Sequence, residues 1–193
     1  MNAILISLMQ TEDIKKAAEV LSIAMLDNPL HLTVFMDNNE AVRLEIEKMF
    51  QDLLTRRPGI VFVAKENQEI VGVMRMYSCV GNKVVEEPEE MHNENNTKYR
   101  KYVWLKEWAS YEPEIQHWHL GPIAVLPSHR KRGIGTSLME RFCSEVDACG
   151  SKAYLETDKD ENVRFYEAFG FKITGRSMIF DAESTYMERP ERG

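Results

Sequence analysis

One segment restricts the fold more than any other. A β-rich run, His117–Val125, passes through Leu126-Pro127-Ser128-His129-Arg130-Lys131-Arg132 into Gly133-Ile134-Gly135-Thr136. Beyond it Ile134, Leu138, Phe142 and Val146 recur four residues apart, the spacing of one buried helix face. Gly150 stands where a helix ending at Cys149 would need a left-handed residue. The chain must therefore contain a strand, a glycine-bearing turn and a helix in direct succession. The first N–H groups of such a helix have no intrahelical partner, and its dipole favours negative charge there. Glycine lets a ligand approach the backbone closely, so the turn is suited to phosphate, and above all to pyrophosphate.

Composition sharpens this reading. With 24 Lys and Arg against 31 Asp and Glu, the 193-residue chain carries a formal charge of −7. A basic knot at 130–132 in an acidic chain points to a local anion site, whereas general nucleic-acid binding needs a basic face and is not expected. Two familiar phosphate motifs fail. A P-loop requires Lys after its last glycine, where Thr136 stands. A dinucleotide fingerprint requires a third small residue where Leu138 stands.

The rest of the chain supplies the elements around this unit. Ala3–Leu8 reads as a strand, followed by a helix from Thr11 with Ile14, Ala18, Leu21 and Met25 on one face. Asp27-Asn28-Pro29 ends it. A second helix covers about 39–55, and Ile60–Ala64 with Ile70–Tyr77 reads as a hairpin. Residues 81–116, with Glu86-Glu87-Pro88-Glu89-Glu90 and a short helix Tyr99–Trp108, read as a surface insertion. Further strands are expected at 153–157, 171–179 and 185–188, and a helix at 162–169. A hairpin followed by alternating strands and helices makes an α/β chain with a mixed sheet, organised as a single domain over 1–193.

No apolar run approaches the roughly 18 residues of a membrane span. The start, MNAILISLMQTED, lacks a basic region before its apolar stretch, so no secretory leader is expected. Cys79, Cys143 and Cys149 form no CxxC pair, and no Cys/His spacing suggests zinc; free thiols, a cytoplasmic location and no metal are expected.

Arg130-Lys131-Arg132-Gly133-Ile134-Gly135 fits an Arg/Gln-x-x-Gly-x-Gly/Ala pattern. It resembles the acyl-CoA pyrophosphate loop of the GNAT acetyltransferase superfamily. A later block, Leu155-Glu156-Thr157 and then Asn162-Val163-Arg164-Phe165-Tyr166 up to Gly170-Phe171, resembles the same family's following helix. Leu155-Glu156-Thr157 is also similar to the puromycin N-acetyltransferase branch. The resemblance is strong over 117–190 and extends to the first 80 residues only in element order. It implies a mostly antiparallel GNAT-type sheet flanked by helices on both faces, with two strands splayed apart, and acetyl-CoA as co-substrate.

Carried over position by position, the resemblance places Ile123, Ala124 and Val125 against the pantetheine arm. Backbone amides of Arg130, Lys131, Arg132, Gly133, Ile134, Gly135 and Thr136 would hold the pyrophosphate. Asn162 would hydrogen-bond the arm and Phe165 pack along it. Tyr166, a phenol with an ordinary pKa near 10, would donate a proton to the departing sulfur; packing alone is the plainer reading. For the base, His119 and Glu156 are the candidates. His117 and His119 alternate on one strand and so face the same side, although both could simply fill strand positions. Asp27, Phe35 and His117 are expected at the acceptor, with the connection 27–35 forming its wall. These expectations amount to N-acetylation of a small-molecule amine by a monomer or homodimer that binds neither nucleic acid nor membrane. A protein acceptor, a non-catalytic acyl-CoA-binding module and an acidic interaction surface are the rival readings.

Overall fold

In β2 (Ile60–Glu66), Val61 and Val63 join one apolar cluster while Phe62 and Ala64 join another. A strand buried on both sides requires cover on both faces of its sheet. The computed structural model, which describes residues 3–81, 85–86 and 93–192, supplies that cover. One face carries α1 (Ile14–Met25), α2 (Pro29–Phe35) and α3 (Glu40–Arg56), with Ala17, Leu21, Leu30, Val34, Ile46 and Phe50 turned inward. The other carries α5 (Ile134–Ala148) and α6 (Asp160–Glu167) through Leu138, Phe142, Val146, Val163 and Tyr166. Each fully buried Leu, Ile or Phe on these faces contributes roughly 1.5–3 kcal/mol. The sheet is thus sandwiched.

The remaining strands are β1 (Ile4–Leu8), β3 (Glu69–Cys79), β4 (His117–Val125), β5 (Ala153–Thr157), β6 (Lys172–Ile179) and β7 (Ala182–Arg189). Their order in the seven-stranded sheet is β1-β2-β3-β4-β5-β7-β6. Only the β4–β5 pair is parallel. The described residues thus form a mixed, mostly antiparallel sheet with six α-helices, the architecture that the resemblance implied.

Two expectations need correction. The connection 27–35 is not an open turn, because Pro29–Phe35 is helical. Asn28 Oδ1 accepts from the N–H groups of Leu30 (2.8 Å) and His31 (3.2 Å), with proline in the first turn, a strong helix start. A helix this short has too few periodic residues to show in sequence.

The second correction concerns 81–116. Its helix, α4 (Thr97–Tyr111), is longer than expected and builds core, so this segment is more than a surface insertion. Trp104 is buried among the α2 and α3 side chains, its ring 5.4 Å from that of His31. Tyr111 stacks on Tyr186 at 3.9 Å, and a Cβ at Gly175 would lie only 2.7 Å from the Tyr111 ring. On this helix Tyr102 is buried and Trp108 packs against the core, while Leu105 points to solvent. The acidic residues Glu87, Glu89 and Glu90 lie outside the described residues.

Candidate active site

Strand pairing opens the site. Along β3, Met74 pairs with Ile123 and Met76 with Leu120, so Gly121 and Pro122 together oppose Arg75 alone. That is a bulge on β4, joined by a cis Gly121–Pro122 bond. On its other side β4 pairs with β5 only at Trp118–Ala153 and His119–Tyr154. Beyond His119 the two strands diverge, leaving the backbone of Ile123, Ala124 and Val125 unpaired on the β5 side. This wedge is where the resemblance placed the pantetheine arm.

At the end of β4 the chain makes a 3-10 turn, Pro127–His129, and enters α5 through Gly133. Gly133 has φ 81°, which favours glycine, and Lys131 also has positive φ at 60°. The first helical bond runs from the Ser137 N–H to the Gly133 carbonyl at 3.0 Å. The N–H groups of Ile134, Gly135 and Thr136 therefore belong to the first turn, where no intrahelical acceptor exists. A Cβ at Gly133 would meet nothing within 4 Å, and one at Gly135 would meet only the Phe165 ring, at 3.7 Å. An open, N–H-lined cradle with Phe165 at its edge fits the diphosphate and arm of acetyl-CoA.

The basic side chains behave differently from the backbone. Arg130 Nη2 donates to the Ala24 carbonyl at 3.2 Å, pinning the loop to the last turn of α1. Arg132 pairs with Glu66, which His129 Nε2 also approaches at 3.2 Å. The Arg132 guanidinium holds the Glu66 carboxyl below its ordinary range. Two of the three cations thus brace the loop, and the backbone is left to face the anion.

His119 and Glu156 are brought together, and they are joined by a residue the sequence did not single out. His119 Nε2 lies 2.8 Å from Glu156 Oε2, and Nδ1 lies 3.0 Å from Glu112 Oε1. The three side chains form one buried, hydrogen-bonded Glu112–His119–Glu156 chain. The ring is held between Tyr77, stacked at 4.7 Å, and Tyr154, edge-on at 5.2 Å. Burial, together with Glu156 and Glu112, keeps the Tyr77 hydroxyl protonated well above its usual range. Glu112 follows α4 directly, within the segment read as an insertion, so nothing nearby in sequence marked it.

At the far end of β5, Asp158 accepts from Ser184 Oγ (2.6 Å) and Asn28 Nδ2 (3.2 Å). Trp108 Nε1 donates to the same Ser184 at 3.3 Å. The α1–α2 connection, α4, β5 and β7 meet at this point. Burial pushes the Asp158 carboxyl up to about 6 against the two hydrogen bonds that lower it. Tyr166, on α6, is buried, and burial followed by the charge of Asp158 raises its phenol above the ordinary value. Asn162 Nδ2 donates to Thr157 Oγ1 at 3.2 Å, fastening α6 to β5.

The expected acceptor residues do not assemble. Asp27 is exposed on the turn after α1, while its neighbour Asn28 reaches inward. Phe35 is packed in the core under the Lys101 ammonium, 4.4 Å from its ring centroid. His117 lies on the same side as His119, ring centroids 6.3 Å apart, but is only 1% exposed and presents no surface to an acceptor molecule.

Comparison with known proteins agrees with this geometry. Residues 20–171 match the model of the acetyltransferase (GNAT) family. The fold is shared with a structure described as histone acetyltransferase HPA2 and related acetyltransferase from Corynebacterium glutamicum, at TM-score 0.73 and 18% identity over 100% of this chain and 98% of that one. It is shared equally with arylalkylamine N-acetyltransferase 2 from Aedes aegypti, at TM-score 0.72 and 15% identity over 98% and 99%. In sequence, L-methionine sulfoximine/L-methionine sulfone acetyltransferase of Salmonella typhimurium is 24% identical over 90 residues, 44% of this chain. The match spans half the length of that curated relative.

Proposed function

The chain belongs to the acetyltransferase (GNAT) family, and from that premise we propose that it moves an acetyl group from acetyl-CoA to the primary amine of a small molecule. The observation that carries this reading is the chain Glu112–His119–Glu156 standing where β4 and β5 part. When bound in the wedge, acetyl-CoA supplies a thioester carbonyl open to attack by an amine. Backbone amides at 131–136 hold its diphosphate, and Ile123–Val125 align the arm.

The protein's own groups handle the protons. An amine arrives mostly as ammonium and must lose a proton before it attacks. Glu156 and His119, hydrogen-bonded to each other, accept that proton between them, and Glu112 steadies the far side of the ring. Tyr166 Oη donates to the departing sulfur, and burial keeps that phenol protonated for the task. Direct transfer follows, with no acyl-enzyme.

Several features support a small acceptor. Asn28, Trp108, Asp158 and Ser184 tie the α1–α2 connection, α4 and the sheet together over the end of β5. Tyr77 beside His119 and Trp108 beside Ser184, both half-buried, bring aromatic surface that suits an amine with a hydrophobic body. The likeness of Leu155-Glu156-Thr157 to the puromycin N-acetyltransferase branch, and the arylalkylamine substrate class named for the Aedes relative, point the same way. The absence of a disulfide between Cys143 and Cys149 among the described residues supports a reducing, cytoplasmic setting, and the protein works as a monomer or homodimer.

Release of CoA thiol, followed with a panel of arylalkylamines, amino-acid analogues and lysine-bearing folded proteins, tests the proposal. Turnover of at least one small amine is expected. Acetylation of folded proteins with no turnover of any small amine would overturn the acceptor class, and no acetyl-CoA binding at all would overturn the enzyme.

A further inference from the structure

Beside Glu112 lies a second cluster that acetyl transfer does not use. Cys79 ends β3, and His117, its register partner, begins β4. With Glu112 they form a group in which one ligand atom from each residue lies within 4.8 Å of the others. All three are buried, His117 to 1% exposure.

The protonation of His117 follows from its contacts. Nδ1 lies 2.8 Å from the Ile115 carbonyl, which can only accept, so the proton sits on Nδ1. With that hydrogen on Nδ1, the neutral tautomer presents a bare lone pair at Nε2. That atom is buried and has no hydrogen-bond partner among the described residues. Its charged neighbour, Glu112 Oε1, stands 3.5 Å away. Two acceptors facing each other in a dry interior are unfavourable unless a positive charge lies between them.

The geometry points to a metal site: Cys79, Glu112 and His117 bind a divalent zinc-type ion. In a tetrahedral zinc centre, with metal–nitrogen and metal–oxygen bonds near 2.0–2.1 Å, those two ligand atoms stand about 3.4 Å apart, close to the observed spacing. A sulfur, an imidazole and a carboxylate select zinc over magnesium or calcium, which take oxygen ligands. Charge also balances. Binding releases the Cys79 thiol proton to solvent, and thiolate plus carboxylate then neutralise the divalent ion around a neutral imidazole. The outer support is in place, since Nδ1–H of His117 already rests on a carbonyl and Glu112 Oε1 already contacts His119. A bound ion ties the ends of β3, α4 and β4 together and fixes Glu112, making it a positioning residue for His119. The short Cys/His spacings of familiar zinc motifs are lacking because the ligands come from three separate elements.

Titration of the chelator-stripped, reduced full chain with cobalt(II) tests the site. One equivalent should produce a thiolate-to-cobalt charge-transfer band. Cys79→Ser should abolish the band, and His117→Gln should weaken binding at least tenfold. Zinc should raise the melting temperature of the wild type and leave that of Cys79→Ser unchanged. Wild-type protein that shows no band with stoichiometric cobalt, as it would if His117 were simply protonated, overturns the proposal. So does the same band in Cys79→Ser, which would place the metal on Cys143 or Cys149. If the variants fail to fold, X-ray absorption of zinc-loaded wild type decides. One sulfur among nitrogen and oxygen ligands is expected, and a shell without sulfur refutes the site.

Discussion

Burial acts in opposite senses on Tyr166 and Asp158. It keeps the Tyr166 phenol protonated, which a proton donor at neutral pH requires. Tyr166→Phe should therefore lower kcat by about 100-fold, with acetyl-CoA affinity by calorimetry nearly unchanged; equal kcat at every pH would remove the role. For Asp158, burial works against the ionised form that its hydrogen bonds from Ser184 and Asn28 favour. Its folded pKa of about 6 exceeds the ordinary 3.8, so between these values the native state holds a proton that the unfolded chain has released. The stability linked to this group is full below pH 3.8 and is lost as pH rises through about 6. At about 1.36 kcal/mol per pKa unit, ionised Asp158 costs the fold up to about 3 kcal/mol at neutral pH. Urea midpoints of wild type should accordingly fall relative to those of Asp158→Asn between about pH 4 and 7. A constant gap between the two would show that Asp158 titrates as an ordinary carboxylate.

The turn into α5 shows how backbone and side chains divide the binding of an anion. Arg130 and Arg132 are engaged with Ala24 and Glu66, so the cradle depends on N–H groups and on the conformation of Gly133. Gly133→Val should raise the acetyl-CoA dissociation constant more than tenfold, since the new side chain both occupies the cradle and resists a φ of 81°. Lys131→Ala should weaken binding far less. Calorimetric titration of both variants checks this, and a larger loss for Lys131→Ala would mean that charge, not backbone geometry, holds the cofactor. Elements with a strong local signal were readable in advance: β4 spans the expected His117–Val125, and α5 buries the face marked by Ile134, Leu138, Phe142 and Val146. The short α2 and the buried face of α4 were not, because seven residues give little periodicity and the inward side of α4 is set by Tyr186 and Gly175, far along the chain.

Across the whole molecule, α5 is joined to β7 by an ion pair that closes the second half of the sheet. Arg189 is 1% exposed and donates to Asp147 at 2.6 and 2.8 Å and to the Phe169 carbonyl at 2.9 Å. Asp147→Ala strands that guanidinium and should destabilise the protein by about 3 kcal/mol, read as a lower denaturant midpoint; replacing both partners by apolar residues should recover most of the loss. The sequence by itself determined what depends on contiguous residues: the strand–turn–helix cradle, the strongly periodic helices and the motifs that carry the family resemblance, which in turn implied helical cover on both faces. Local backbone preference and a four-residue repeat act over short stretches, so they are written where they operate. Only the tertiary structure decided that Glu112 joins His119 and Glu156, that Asn28 reaches Asp158 in place of Asp27, and that Phe35 and His117 are buried. Those contacts depend on strand order, on the bulge at Gly121–Pro122 and on the early parting of β4 from β5, which bring together side chains that no spacing along the chain relates.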